Sequence, residues 1–131
     1  MSKKMDKDTN ALNWFEIAVN DIERATKFYE TIFEIEMPRM DMPNVKMSMF
    51  PPDGSASTIG GALAKSDMHH TSSTGTLVYL NANPDLQLVL DRIESAGGKI
   101  MVPKTQITEE YGYMAFFNDT EGNAIGLHST K

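Results

Sequence analysis

The chain contains no cysteine among its 131 residues, which excludes disulfide bonds and thiolate metal sites. It also contains no stretch approaching the roughly 18 consecutive apolar residues that suggest a membrane-spanning helix. The first ten residues, MSKKMDKDTN, are polar and lack the apolar stretch of a signal peptide. We therefore expect a cytoplasmic protein that makes no membrane contact.

Clustered positive charge is scarce as well. The formal net charge is −6 at pH 7, and the lysines gather only at Lys3, Lys4 and Lys7. Phosphates bind to a concentrated positive face, so nucleic acid is not an expected partner. The length suits one domain with a substantial core, and a composition of 40% hydrophobic and 23% charged residues is ordinary for a folded protein.

The first half of the chain has the pattern of a strand, a helix and three further strands. The strand spans 12–19, and Asp21 is placed to cap the helix that follows. Three strands are predicted after the helix, at 35–40, 45–50 and 59–64, with turn residues at 51–54 before the last. The helix is predicted from an apolar stripe at helical spacing, formed by Ile22, Ala25, Phe28, Tyr29, Ile32 and Phe33.

The second half repeats this order. A strand at 76–81 precedes a helix that Pro84 or Asp85 opens and that Gly97-Gly98 ends, because glycine adopts the left-handed conformation of a C-cap. Its apolar positions are Leu86, Val89, Leu90 and Ile93. The strands that follow are predicted at 99–102, 111–117 and 123–129, with a turn at 118–122.

One half alone would leave a sheet face uncovered, so we expect both halves to form a single α+β domain. The predicted organisation is a disordered tail at 1–10 and one domain at 11–131. Within it, the modules span about 11–65 and 75–131, joined by a linker at 66–74.

Several segments carry a resemblance to a known superfamily. They are WFEIAVNDIERA from Trp14, Phe28-Tyr29, AGG from Ala96, and DTEGNAIGLHS from Asp119. In order and spacing the chain resembles the vicinal oxygen chelate superfamily of glyoxalases, extradiol dioxygenases, epimerases and bleomycin resistance proteins. The resemblance covers about 12–129. It implies two tandem βαβββ modules forming a cupped, mostly antiparallel eight-stranded sheet, and it implies a homodimer, the commonest form of oligomer.

The same resemblance implies where a divalent metal would be held in relatives, by His, Glu or Gln side chains on four strands. The corresponding positions here hold Trp14, the stretch Gly60-Gly61-Ala62-Leu63, Thr76 and Gly126. A divalent site needs about three or four nitrogen or oxygen ligands in defined geometry. We therefore predict that the family's metal site is absent and that the protein uses no cofactor.

The predicted ligand pocket is lined by Trp14, Glu16, Thr76, Tyr113 and His128. Alternation along a strand places Glu16 on the face of Trp14, and His128 on the face of Gly126. Glu16 and His128 are therefore expected to project into the same cup. Such a pair can orient a polar ligand or act as a general acid and base, or it can simply satisfy itself. No catalytic residue is assigned.

Two other groups of side chains are weighed against simpler explanations. His69 and His70 are expected to lie in a solvated loop, since adjacent histidines rarely chelate one ion. A methionine cluster can line an adaptable apolar pocket, although core packing or dimer burial explains it equally well. Its members are Met37, Met40, Met42, Met47 and Met49.

Three function classes follow from these features. The leading hypothesis is a protein that binds a small molecule in the cup without the family's metal site. The first alternative is a metal-dependent lyase, isomerase or dioxygenase with displaced ligands, in which a shift of two residues brings Glu16 and His128 to ligand height. The second is a structural or protein-interaction module with a closed cup.

Overall fold

The computed structural model describes residues 4–52 and 58–131. One strand, one helix and three strands occur in that order twice. The first module comprises β1 (Phe15–Ala18), α1 (Ile22–Phe33), β2 (Arg39–Met42), β3 (Val45–Met49) and β4 (Gly61–Lys65). The second comprises β5 (Tyr79–Asn81), α2 (Leu86–Ala96), β6 (Lys99–Thr108), β7 (Gly112–Asn118) and β8 (Ala124–Ser129). Two predictions fall partly outside the described residues: the turn at 51–54 and the tail at 1–10.

The strands pair with the same topology in both modules. Their orders are β1-β4-β3-β2 and β5-β8-β7-β6, and in each module the first and last strands are parallel while the other neighbours are antiparallel. This repetition confirms the predicted α+β fold with two tandem βαβββ modules. Hydrogen bonding divides the eight described strands into two four-stranded sheets, with β1 and β5 each at an edge, rather than into one continuous sheet.

The helices begin at the predicted capping residues. The side chain of Asp21 accepts a hydrogen bond from the backbone N–H of Arg24, and that of Asp85 accepts one from Gln87. These bonds satisfy N–H groups that the first helical turn leaves unpaired. Gly97 ends α2 with φ +111°, as predicted, whereas Glu34 ends α1 in the left-handed region at φ +54°.

One hydrophobic core joins the two modules. Phe117 on β7 is fully buried, and its ring lies 5.9 Å from that of Phe28 and 6.4 Å from that of Tyr29, both on α1. On the second helix, Leu86 and Ile93 are fully buried in the same cluster. Each module therefore covers a face that the other would leave exposed to water, as the pattern predicts.

Four strands differ from the prediction by three or more residues at one end, and the first is β1, which begins at Phe15 rather than at 12. β2 lies at Arg39–Met42 rather than at 35–40, and β5 covers only the end of the predicted strand at 76–81. β6 continues through Pro103 to Thr108, well beyond the predicted end at 102. Because β6 is the outermost strand of its sheet, a proline without an N–H is tolerated there. Neither helix within residues 4–52 and 58–131 is long and apolar enough to cross a membrane.

Candidate functional site

The face of the first sheet that points away from α1 carries a small apolar cluster. Ala62 and Ala64 on β4 are fully buried there beside Met47 on β3. Trp14, partly buried, packs against this cluster together with Val45 and Met49. The indole therefore contacts a second apolar cluster, separate from the main core, on the face where the ligand pocket was predicted.

Glu16 projects from β1 beside this cluster and holds two hydrogen bonds. One carboxylate oxygen accepts from the indole Nε1–H of Trp14 at 3.1 Å, and the other lies 2.7 Å from Nε2 of His69. Since an ionised carboxylate can only accept, the proton between these two groups resides on Nε2. The expected shared face of Trp14 and Glu16 is present, and it places their side chains in direct contact.

His69 is mostly shielded from solvent, contrary to the prediction of a solvated loop. Its side chain is 20% exposed, and both ring nitrogens have partners, because Nδ1 lies 2.6 Å from Oγ of Ser66. The linker turn brings the two residues together, since the backbone N–H of His69 donates to the carbonyl of Ser66. The sequence offered no signal for the bond to Glu16, which joins positions 53 residues apart.

A cleft of about 360 Å³ lies between the two modules. We call it the inter-module cleft. Glu16 and Ala18 of β1 form one side, the linker contributes His69 and His70, and Ile125 of β8 helps to close it. Among the described residues that line the cleft, Glu16 is the only Asp, Glu, Lys or Arg. The cleft therefore presents one negative charge when both imidazoles are neutral.

Asn123, at the end of the β7–β8 turn, ties the walls of this cleft together. Its side-chain amide donates to the carbonyl of Ala18 at 2.7 Å and accepts from the backbone N–H of Ser72 at 3.0 Å. It also donates to Asp119 at 3.0 Å. One buried side chain thus links β1, the linker and the turn, a role that the sequence pattern alone did not reveal.

Glu121, in the same turn, joins the second module to the start of α1. Its carboxylate accepts from the backbone N–H groups of Asn20 and Asp21, both at 2.8 Å, and from the guanidinium of Arg24 at 2.7 Å. Burial raises the pKa of Glu121, but the hydrogen bonds from Arg24, Asp21, Thr120 and Asn20 outweigh burial and lower the pKa to about 2. A negative charge at a helix N-terminus is also favoured by the helix dipole.

Tyr29 completes the polar support beneath the turn. Its hydroxyl donates to Asp119 at 2.7 Å inside the core. Burial, followed by the charge and hydrogen bond of Asp119, raises the pKa of Tyr29 well above its ordinary value. The phenol therefore stays protonated and acts as a fixed donor to the turn that positions the cleft.

The five predicted pocket residues are only partly brought together. Glu16 and Thr76 both line the inter-module cleft, and Trp14 bonds Glu16 from the adjacent cluster. Tyr113 lies on β7 with the ammonium of Lys104 4.5 Å from its ring centre. His128 places Nε2 2.6 Å from the backbone carbonyl of Tyr111. Glu16 and His128 therefore have separate partners.

Gly126 on β8 is covered by an aromatic ring. Gly126 pairs with Tyr79 across β8 and β5, at the place where Ala62 pairs with Glu16 across β4 and β1 in the first module. A Cβ at Gly126 would lie 2.6 Å from the ring of Tyr79, which also packs 5.8 Å from Phe116. Thr76 is exposed and lies three residues before β5 begins.

Comparison with known proteins agrees with this architecture. The family model of the Glyoxalase/Bleomycin resistance protein/Dioxygenase superfamily matches residues 11–127. The chain belongs to this superfamily. A glyoxylase-like domain-containing protein from Didymella fabae is 29% identical over 119 residues, which are 88% of this chain and 91% of that protein.

Solved structures of the superfamily share the fold. A glyoxylase/bleomycin resistance protein/dioxygenase domain from Frankia sp. EAN1pec superposes with a TM-score of 0.71 at 15% identity, covering 95% of this chain and all of that one. A glyoxalase I mutant from Zea mays gives 0.69 at 20% identity over 89% of this chain, which spans 45% of the maize chain. At these identities the likeness establishes the fold only.

The residues at the superfamily's metal positions do not fit a divalent ion. Trp14 packs on the apolar cluster that contains Ala62, so apolar side chains occupy two of the positions that the resemblance assigns to metal ligands in relatives. At the corresponding place in the second module, Gly126 lies under Tyr79. Residues 4–52 and 58–131 also contain no group of three or more His, Cys, Asp or Glu that could hold a metal. The pair Glu16 and His69 supplies two donors, fewer than such a site requires.

Proposed function

We propose that this protein binds a small molecule in the inter-module cleft without using the superfamily's metal site. The observation that carries the proposal is the carboxylate of Glu16, fixed by Trp14 and His69 at the wall of a cleft of about 360 Å³. Small-molecule sites are concave and mostly apolar, with a few placed polar groups. The cleft has this character, since its lining combines Ile17, Val78 and Ile125 with a few polar side chains.

The charge of the cleft selects the ligand class. Glu16 is the only Asp, Glu, Lys or Arg among the described residues that line it, and the whole chain carries a formal charge of −6. A small organic cation therefore gains attraction from both the wall and the protein's overall field. His70 and Thr76 also line the cleft and make no hydrogen bond with another described side chain, so they are free to bind a polar substituent.

The alternative of a metal-dependent lyase, isomerase or dioxygenase needs additional donors. Glu16 and His69 would contribute two ligands, and His128, which the displaced-ligand hypothesis requires, bonds to the carbonyl of Tyr111 instead. A screen that includes divalent ions therefore tests both hypotheses in one experiment.

The test is a thermal-shift and calorimetric titration with benzylamine as a small organic cation, run with and without Zn²⁺, Ni²⁺ and Mn²⁺. We expect benzylamine to raise the Tm in the absence of metal. Thr76→Trp should abolish the shift by filling the cleft. Glu16→Gln should weaken binding about tenfold, the loss of one partly exposed charge interaction of about 1.4 kcal/mol.

Two matched variants serve as controls. Thr31→Trp adds the same indole to an exposed position on α1, and Glu36→Gln removes an exposed carboxylate outside the cleft. Neither should change the titration. Binding that appears only with stoichiometric metal, and is lost with Glu16→Gln, would favour the metal-dependent alternative. A titration that Thr76→Trp leaves intact would place the ligand elsewhere.

A further inference from the structure

His69 separates the inter-module cleft from a second cavity of about 610 Å³. This second cavity, which we call the hairpin cavity, lies between the β2–β3 turn and the start of the linker. Ser66 and His69 line it, whereas Glu16 lines only the inter-module cleft. The hydroxyl of Ser66 and the imidazole of His69 thus both face the hairpin cavity. The carboxylate of Glu16, which orients the imidazole, lies on the opposite side of the ring, in the inter-module cleft.

The hydrogen bonds among these residues have a defined direction. When the imidazole of His69 is neutral, Glu16 fixes its proton on Nε2, and Nδ1 is then an acceptor. Ser66 Oγ lies 2.6 Å from Nδ1 and accepts the backbone N–H of Met68 at 3.0 Å. The hydroxyl proton of Ser66 therefore points to Nδ1. A serine donating to an imidazole that donates to a carboxylate is the arrangement that activates a serine nucleophile.

The hairpin cavity also contains unpaired positive charge. Lys46 and Lys65 are direct cross-strand partners on β3 and β4, and both line the cavity with Asp67. Neither ammonium is bonded to another group in the described part of the chain. Like charges placed directly opposite each other are destabilising, so an anion or a developing negative charge in the cavity would relieve their repulsion. Two lysines and one aspartate leave this cavity with a charge of +1.

We infer that Ser66, His69 and Glu16 form an acyl-transfer site that hydrolyses small esters in the hairpin cavity. Ser66 Oγ bonds to the acyl carbon while its proton passes to Nδ1, and the carbonyl electron pair moves onto oxygen near the lysines. Collapse breaks the bond to the leaving alkoxide, which takes the proton from Nδ1. Water then attacks the acyl carbon while one of its protons passes to Nδ1. The bond from the acyl carbon to Ser66 Oγ breaks, Oγ takes the proton from Nδ1, and a carboxylic acid is released. Glu16 is a positioning residue that stabilises the imidazolium.

The first test is covalent labelling with an alkyl fluorophosphonate, followed by intact-mass and peptide analysis, alongside hydrolysis of p-nitrophenyl acetate. We expect one label on Ser66. Ser66→Ala should remove labelling and hydrolysis, and His69→Gln should slow both about 10²- to 10⁴-fold, the usual contribution of a general base. Glu16→Asp should retain more activity than Glu16→Gln and keep a pH profile closer to that of the unmodified protein. Ser73→Ala is the matched control and should change neither rate.

A second test does not depend on turnover. Because the chain has no cysteine, Ser66→Cys introduces a single thiol, whose pKa a neighbouring imidazolium should lower. Its alkylation by iodoacetamide should begin at lower pH than that of Ser73→Cys, and adding His69→Gln should remove the difference. Equal alkylation profiles, or a fluorophosphonate label on another residue, would overturn the assignment.

The two proposals can fail separately. Thr76→Trp fills the inter-module cleft and should abolish benzylamine binding while Ser66 is still labelled. Ser66→Ala should abolish labelling while benzylamine still binds. Labelling that disappears with Thr76→Trp would mean that Ser66 reacts through the cleft, which contradicts the hairpin cavity as the place of reaction.

Discussion

At the scale of single residues, two glycines adopt the same backbone conformation in different surroundings. Gly112 and Gly122 have φ values of +80° and +88°. A Cβ at Gly122 would meet nothing within 4 Å, whereas one at Gly112 would collide with the backbone carbonyl of Ser129. Glycine is therefore required at position 112 by both conformation and space, and at position 122 by conformation alone.

Alanine substitutions should separate these two effects. Gly122→Ala should lower the free energy of unfolding by about 1 kcal/mol, the cost of a left-handed L-residue. Gly112→Ala should lower it by about 3 kcal/mol or more, because β7 and β8 must also move apart. Urea unfolding measures both, and equal losses would show that the contact with Ser129 is unimportant.

Residue types that act locally could be recognised in the sequence. Asp21, Asp85 and Gly97 cap helices through contacts within a few positions, so their roles follow from type and order. The partner of Glu16 could not be found in this way. Alternation along β1 correctly placed Glu16 on the face of Trp14, but the fold of the linker decides that His69, rather than His128, reaches the carboxylate.

At the scale of elements, the β7–β8 turn holds the first turn of α1 through Glu121. The side chain of Glu121 is 0% exposed, and its carboxylate accepts hydrogen bonds from two backbone N–H groups and from the guanidinium of Arg24. Its pKa falls from 4.5 to about 2 on folding. A depressed carboxylate pKa contributes stability that is fully present above the unfolded value and is lost as the pH falls through the folded value.

Glu121 should therefore make stability pH-dependent between about pH 5 and 2. A shift of this size corresponds to about 3 kcal/mol. Glu121→Gln should be less stable than the unmodified protein at pH 7, and the difference should shrink as the pH is lowered to 2. Chemical denaturation at several pH values measures it. Glu109→Gln, in an exposed turn, should show no difference at any pH, and a gap for Glu121→Gln that stays constant would contradict the assigned pKa.

Element boundaries show where the sequence pattern was insufficient. Both helices were predicted because each combines an apolar stripe with a capping aspartate. The strands β5 and β6 were misjudged in opposite directions, one shorter and one longer than expected. Strand length depends on what lies alongside, and β6 follows β7 as far as Thr108 despite Pro103 because its other edge is free within the described structure.

At the scale of the whole molecule, the modules share one core rather than stacking two. The ring centre of Tyr29 lies 5.6 Å from that of Phe50 in its own module and 6.4 Å from that of Phe117 in the other module. The sequence predicted this association, because each apolar helix face requires a partner. It did not predict the inter-module cleft, since that cleft depends on Asn123 joining β1 to the linker through contacts more than 50 residues apart.

A shared core predicts that both modules unfold together. Trp14 is the only tryptophan and reports on the first module, while far-UV circular dichroism reports on both. The two signals should give one coincident urea transition. Phe117→Ala, in the second module, should lower the stability by about 3–5 kcal/mol and shift the Trp14 transition equally. Phe116→Ala removes a half-buried ring that contacts Tyr79 within the second module and should cost less. A Trp14 midpoint that stays in place while the dichroism midpoint falls would show that the modules unfold independently.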